Sequence, residues 1–217
     1  MPAWAAFATL SLLFFAPPEQ EWKNKSPSEW TEADAKLVLA DSPWSKTATA
    51  TLDKEYPHKP GIKLGDFAIT SPLHRLSATK PGDSGKPPVL TLRWESARPV
   101  REANRKVGKD AAQLEPNYYA LAVYGIPKEA LAGDEKELAA GLRKQAVLKR
   151  YAKKEIVPVR VEILLRDGAP VVLYLFAKPG DITWRDHNLE FTAQAAQWKF
   201  TQSFALDDMM FEGKLEL

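Results

Sequence analysis

The sequence predicts an α+β protein, predominantly an antiparallel β-sheet or sandwich with two or three short helices. Three observations carry this. Two-residue hydrophobic alternation recurs along the chain and is densest in its last third. Turn signals as short as Asp167-Gly168 join the runs of the last third, which suits antiparallel pairing. Proline, at 17 residues against 11 glycines, suggests irregular connections between strands, because it lacks the N–H that a helix interior or central strand needs.

Residues 3–16 carry no charge and include Trp4, Phe7, Leu10, Leu12, Leu13, Phe14 and Phe15. As a helix they would rise roughly 21 Å, short of a ~30 Å hydrocarbon core, so a secretory signal fits better than a span. No Lys or Arg precedes the run and no A-x-A site follows it. An upstream start, atypical cleavage and retention therefore stay open, and the alternative to export is a buried helix. The expected organisation is a signal peptide or hydrophobic segment at 1–16, a Pro-flanked linker at 17–27 and a single β-rich α+β domain at 28–217.

Within that domain, Ser28 is expected to cap a helix over 29–40, with Trp30, Ala33, Leu37 and Val38 on one face and Trp44 plugging its end. Residues 47–52 alternate as a strand. The stretch 54–88 reads as a Pro- and Gly-rich loop with a short strand at 62–69, and its His58 and His74 read as surface residues. Leu90, Leu92 and Trp94 fall on one side of a strand at 89–96, with Thr91, Arg93 and Glu95 on the other. Ser96 is expected to cap a short basic helix over 97–107, and 118–124 alternates as a strand. Asp134 with Glu137 opens a helix reaching about 151. Strands at 159–166, 171–177, 189–193, 198–206 and 211–217 then suggest a meander.

With 45% apolar and 27% charged residues, composition excludes a collagen, a multispan membrane protein and a wholly disordered chain. A net charge of +2, from 30 Lys+Arg against 28 Asp+Glu, is too small to imply a nucleic-acid partner. The N-terminal segment is expected to contact membrane during export. Cysteine is absent, which removes disulfides, thiolate zinc sites, iron–sulfur clusters and cysteine nucleophiles together.

No phosphate-cradling, dinucleotide-binding, serine-elbow or zincin motif is present. The densest polar group is Asp181, Asp186, His187 and Glu190, which would suit a divalent ion if the loop folded back and otherwise forms a solvated turn. Asp207 and Asp208, like Asp34 and Asp41, have no spacing that brings carboxylates together; the former read as a strand-end turn. On a helix running to 151 and beyond, Arg143, Lys149, Arg150, Lys153 and Lys154 would share an arc of roughly 140°, with Lys144 outside it, read as a solvated basic face.

The blocks Ser42-Pro43-Trp44 and Arg93-Trp94-Glu95-Ser96-Ala97, with the ending Gly213-Lys214-Leu215-Glu216-Leu217, resemble a group of uncharacterised exported bacterial proteins. The resemblance implies export and a β-rich domain, and no activity. The expected function is a non-catalytic envelope or secreted binding module, periplasmic, envelope-associated or secreted, with no cofactor indicated. The alternative is a metal-dependent or other hydrolase using the loop from Asp181 to Glu190.

Overall fold

The computed structural model describes residues 21–53, 86–109, 114–178 and 182–217. The alternating segments become two antiparallel sheets. Strands β1 (Ser45–Thr49), β2 (Thr51–Leu52), β3 (Val89–Trp94) and β4 (Tyr118–Tyr124) are followed by β5 (Val147–Lys149). Two hairpins come next, β6 (Arg160–Arg166) with β7 (Ala169–Ala177) and β8 (Asn188–Ala195) with β9 (Trp198–Ala205). A small hairpin, β10 (Met210–Phe211) with β11 (Lys214–Leu215), ends the chain. The larger sheet runs β1-β3-β4-β7-β6 and the smaller β2-β9-β8-β5. With helices α1 (Glu32–Ala40), α2 (Arg98–Lys106) and α3 (Glu135–Lys144), this is the expected α+β class.

The sheets meet through large side chains on their facing surfaces. Trp94 packs edge-on to Phe204 at 5.5 Å between ring centroids, and Tyr174 meets Phe191 at 5.1 Å. Each of these rings is fully buried. Such contacts contribute beyond the area they remove from water, by about 0.5–1.5 kcal/mol per pair. The Asp167-Gly168 turn is as expected: φ is 51° and 76°, the left-handed pair that a two-residue hairpin requires. Gly125 closes β4 with φ 85°, and a Cβ there would lie 2.9 Å from the Val89 carbonyl oxygen. Glycine is needed on both counts.

A second aromatic group anchors the start of the described chain. Trp22, Trp30, Phe211 and Trp44 form a closed ring of contacts, with successive centroids 5.9–6.1 Å apart. Trp30 Nε1 donates to the Trp22 carbonyl and Trp44 Nε1 to that of Glu216, so two of the three indole N–H groups are satisfied, whereas the buried Trp22 Nε1 has no hydrogen-bond partner among the described residues. Trp44 is thus the expected plug. Trp22 lies within the stretch read as a linker, yet it belongs to the core.

Several local expectations are corrected. Thr31, not Ser28, caps α1: its hydroxyl accepts from Asp34 N while Asp34 Oδ2 accepts from Thr31 N, and Ser28 lies inside the preceding Pro27–Glu29 turn, which Ser26 and Glu29 close. The buried face of α1 is Asp34, Ala35 and Val38, leaving Ala33 and Leu37 exposed, because Asp34 is drawn in by the cap and by Lys25 at 3.1 Å. Ser96 does not cap α2 but accepts from Ala120 N on the neighbouring strand, and Ala97 holds the cap position. The 47–52 alternation continues through buried Ala48 and Ala50, but the chain changes sheets at Ala50, whose N–H bonds to Pro88 O. Side-chain alternation encodes a face and not a partner.

The predicted meander is also replaced. Its two hairpins lie in different sheets, β6 and β7 in the larger and β8 and β9 in the smaller, while 211–217 folds as the β10–β11 hairpin. The helix opened by Asp134, which accepts from Lys136 N and Glu137 N, stops at Lys144. Residues 147–149 pair instead with Glu190, Phe191 and Thr192, and this strand pairing buries Leu148 completely. Tertiary burial outweighs the few tenths of a kcal/mol per residue that helix propensity offers. The five cations expected on one face consequently do not share a helix: Arg143 donates to Val159 O, Lys153 pairs with Asp186 at 2.7 Å, and Arg150 is buried. Residues 1–20, 54–85 and Asp181 lie outside the described residues, and with them the hydrophobic segment, the 62–69 strand, His58 and His74.

Candidate ligand-binding cleft

Strand β7 is apolar on both faces, the pattern of a strand covered on both sides. Val172, Tyr174 and Phe176 face the smaller sheet, while Val171, Leu173 and Leu175 join Ala120 and Ala122 in a separate, buried apolar layer on the other face of the larger sheet. Over this layer opens a cleft of about 830 Å³. Leu164, Leu173 and Leu175 line it, and Leu114 and Tyr118 flank them. The volume falls within the roughly 300–1,000 Å³ of small-molecule sites.

One end of the cleft carries a buried charge cluster assembled from three strands and the segment after β3. Glu95 is only 1% exposed, and both of its oxygens are fully used. Oε1 accepts from Arg93 Nε and from the Tyr124 hydroxyl, each at 2.6 Å. Oε2 meets Arg166 Nη1 at 3.2 Å and Asn104 Nδ2 at 3.3 Å. The Tyr124 oxygen also accepts from Arg166 Nη1 at 2.7 Å and from Arg93 Nη2, and the Arg93 guanidinium lies 4.5 Å from the tyrosine ring centroid.

Burial alone would push the Glu95 carboxyl up, but the charges of Arg93 and Arg166, aided by the hydrogen bonds, hold it below its ordinary 4.5. The Tyr124 phenol is pushed up to about 12, by burial first and then by the Glu95 charge. At neutral pH the cluster therefore holds two guanidiniums, one carboxylate and a neutral phenol. Nearby Lys109 and Asp167 pair at 2.6 Å and cancel. At the far end the ratio inverts: Arg160 faces both Glu115 at 3.0 Å and Glu162 at 2.8 Å. The cleft is thus positive at one end, negative at the other and apolar between.

No family model, curated protein or solved structure matches this chain.

The polar group expected between Asp181 and Glu190 does not converge in its described members. Asp186 caps its own turn by accepting from Thr183 N and pairs with Lys153, while His187 Nδ1 meets Asp207 Oδ2 at 3.1 Å. Glu190 sits in β8 opposite Ser203. Among the described residues no three of His, Asp and Glu gather as a metal site would require. Asp207 and Asp208 occupy the turn after β9, as expected. The Arg93–Glu95–Tyr124–Arg166 cluster was not singled out by sequence reasoning. Its signals were charged residues on the same side of strands at 93, 95 and 166, and a β7 segment too uniformly apolar for a sheet wet on one face.

Proposed function

We propose that this chain is an exported, non-catalytic binding module whose ligand site is the cleft on the outer face of the larger sheet. The observation that carries this reading is an apolar floor ending in a pre-formed, hydrogen-bonded charge cluster, the composition of a site that orients a ligand. The carboxylates around it are poor proton acceptors: Glu95 is held ionised by two arginines, and Asp167 is lowered by its hydrogen bond from Lys109. Binding, and not acid–base work, is what such groups support.

A neutral fluorescent probe of apolar sites, N-phenyl-1-naphthylamine, tests the site. Saturable enhancement is expected with the wild-type protein. The half-buried Leu164 tolerates enlargement, and Leu164→Trp, by occupying the cleft, should weaken probe binding about tenfold, or 1.4 kcal/mol, with the circular dichroism unchanged. Equal binding by both proteins would remove the cleft as the site.

Export rests on the uncharged run at 3–16 and on the resemblance to exported bacterial proteins. Amino-terminal sequencing of protein recovered from the cell envelope should begin beyond Ala16. Recovery from the cytoplasm with Met1 intact would overturn this part of the proposal.

A further inference from the structure

The charge arrangement of the cleft specifies which way round a ligand lies and what its head must be. Two guanidiniums share the single carboxylate of Glu95, leaving one positive charge uncompensated beside the apolar floor. Asn104 and the Tyr124 hydroxyl add donors to the same carboxylate but no charge. Among the described residues, Arg166 commits only Nη1, to Glu95 and Tyr124, and its side chain keeps 22% of its surface accessible. Its Nε and Nη2 groups remain as a planar fork of donors, the geometry that matches a carboxylate or phosphate in a bidentate pair. Arg93 is deeper, at 12%, and uses Nε, Nη1 and Nη2 within the protein, so it contributes charge more than contact.

The opposite end argues for the same orientation by repulsion. Glu115 and Glu162 outnumber Arg160 there, so an anion placed at that end would face a net negative field. Arg160 and Arg166 bound the same strand, six residues apart, which separates the two ends by roughly 20 Å. Between them lie Leu164, Leu173 and Leu175, with no charged side chain of β7 to interrupt the apolar track.

We infer that the cleft takes a single-chain anionic amphiphile, with its carboxylate or phosphate head on Arg166 and its hydrocarbon chain along Leu164, Leu173 and Leu175. This rests on the cleft being the binding site. The long separation of the two ends suits an extended chain better than a compact anion, and the buried Glu95 network holds the Arg166 fork in place before a ligand arrives.

Displacement of N-phenyl-1-naphthylamine from the wild-type protein by four ligands, below their micelle concentrations, tests the inference. Dodecanoate and dodecyl phosphate should displace the probe at concentrations at least about tenfold lower than dodecanol, and dodecyltrimethylammonium should be weakest. A difference between the two anions identifies which head is preferred. Arg166→Gln should abolish the preference for anions over dodecanol, and Arg166→Lys should restore part of it. Equal displacement by dodecanol and dodecanoate in the wild type would overturn the head-group assignment, and this arm needs no variant to fold. Probe binding that none of the four ligands displaces would overturn the ligand class while the cleft remains a site. Failure of the probe itself to bind, or its indifference to Leu164→Trp, is the separate failure of the cleft reading.

Discussion

Replacing Glu95 by Gln lowers the unfolding free energy by about 3–5 kcal/mol, because it leaves Arg93 and Arg166 facing each other across a buried site with no counter-charge. That is a large share of the ~5–15 kcal/mol typical of a folded domain. The loss comes from stranding cations and does not measure the worth of the pairs themselves. The double variant Glu95→Gln/Arg166→Gln should therefore recover part of it, since only one guanidinium then lacks a partner. Urea denaturation of the three proteins measures both effects. A Glu95→Gln midpoint equal to wild type would mean that water reaches the cluster freely.

The same cluster gives stability a pH dependence of defined sign. Glu95 titrates below its ordinary value in the folded protein, so its contribution is complete above pH 4.5 and is lost as pH falls through the folded-state value. Tyr124 is shifted the other way. Its contribution is complete below the ordinary 10.0 and is lost as pH rises towards about 12. Both arms should flatten in the Glu95→Gln protein, in which the carboxylate is gone and the phenol loses a negative neighbour.

Trp22→Ala should cost about 3–5 kcal/mol, the range for deleting a large buried aromatic side chain. Trp22 is 1% exposed and touches two other indoles, so no neighbouring side chain is placed to fill the void without breaking the aromatic ring of contacts. The change also frees the segment before α1, whose Lys25 is otherwise held to Asp34. Trypsin should then cut at Lys23 and Lys25 faster than in the wild type, together with a lowered denaturation midpoint. An unfolding free energy within about 0.5 kcal/mol of wild type would place Trp22 among ordinary surface residues.

Elements whose patterns depend only on their own residues were legible. Leu90, Leu92 and Trp94 alternate into the core as expected, Asp134 caps a helix, and Asp167-Gly168 turns a hairpin. Misreadings cluster where two local signals competed. Ser28 and Thr31 are both capping residues, and Asp34 at the third helical position decided for Thr31. The capping signal at Asp134 and Glu137 gave no warning that Val147 and Leu148 would leave the helix for the edge of the smaller sheet. The Pro-flanked stretch before α1 looked polar on average, yet its one indole is core.

The candidate site was still less visible. Arg93, Glu95, Tyr124 and Arg166 lie up to 73 positions apart in the chain, and each alone is an unremarkable polar residue on or beside a strand. What a strand's sequence determines is which side chains share a face, because successive Cβ atoms alternate regardless of context. Strand order depends on the whole set of competing pairings, and here it was the tertiary structure that set β4 and β7 between β3 and β6. That order brought two arginines to one carboxylate and left an apolar floor beside them. The α+β class and the positions of most strands follow from local periodicity, whereas the burial of Glu95 and the polarity of the cleft exist only once long-range pairing has removed water from one end of the sheet.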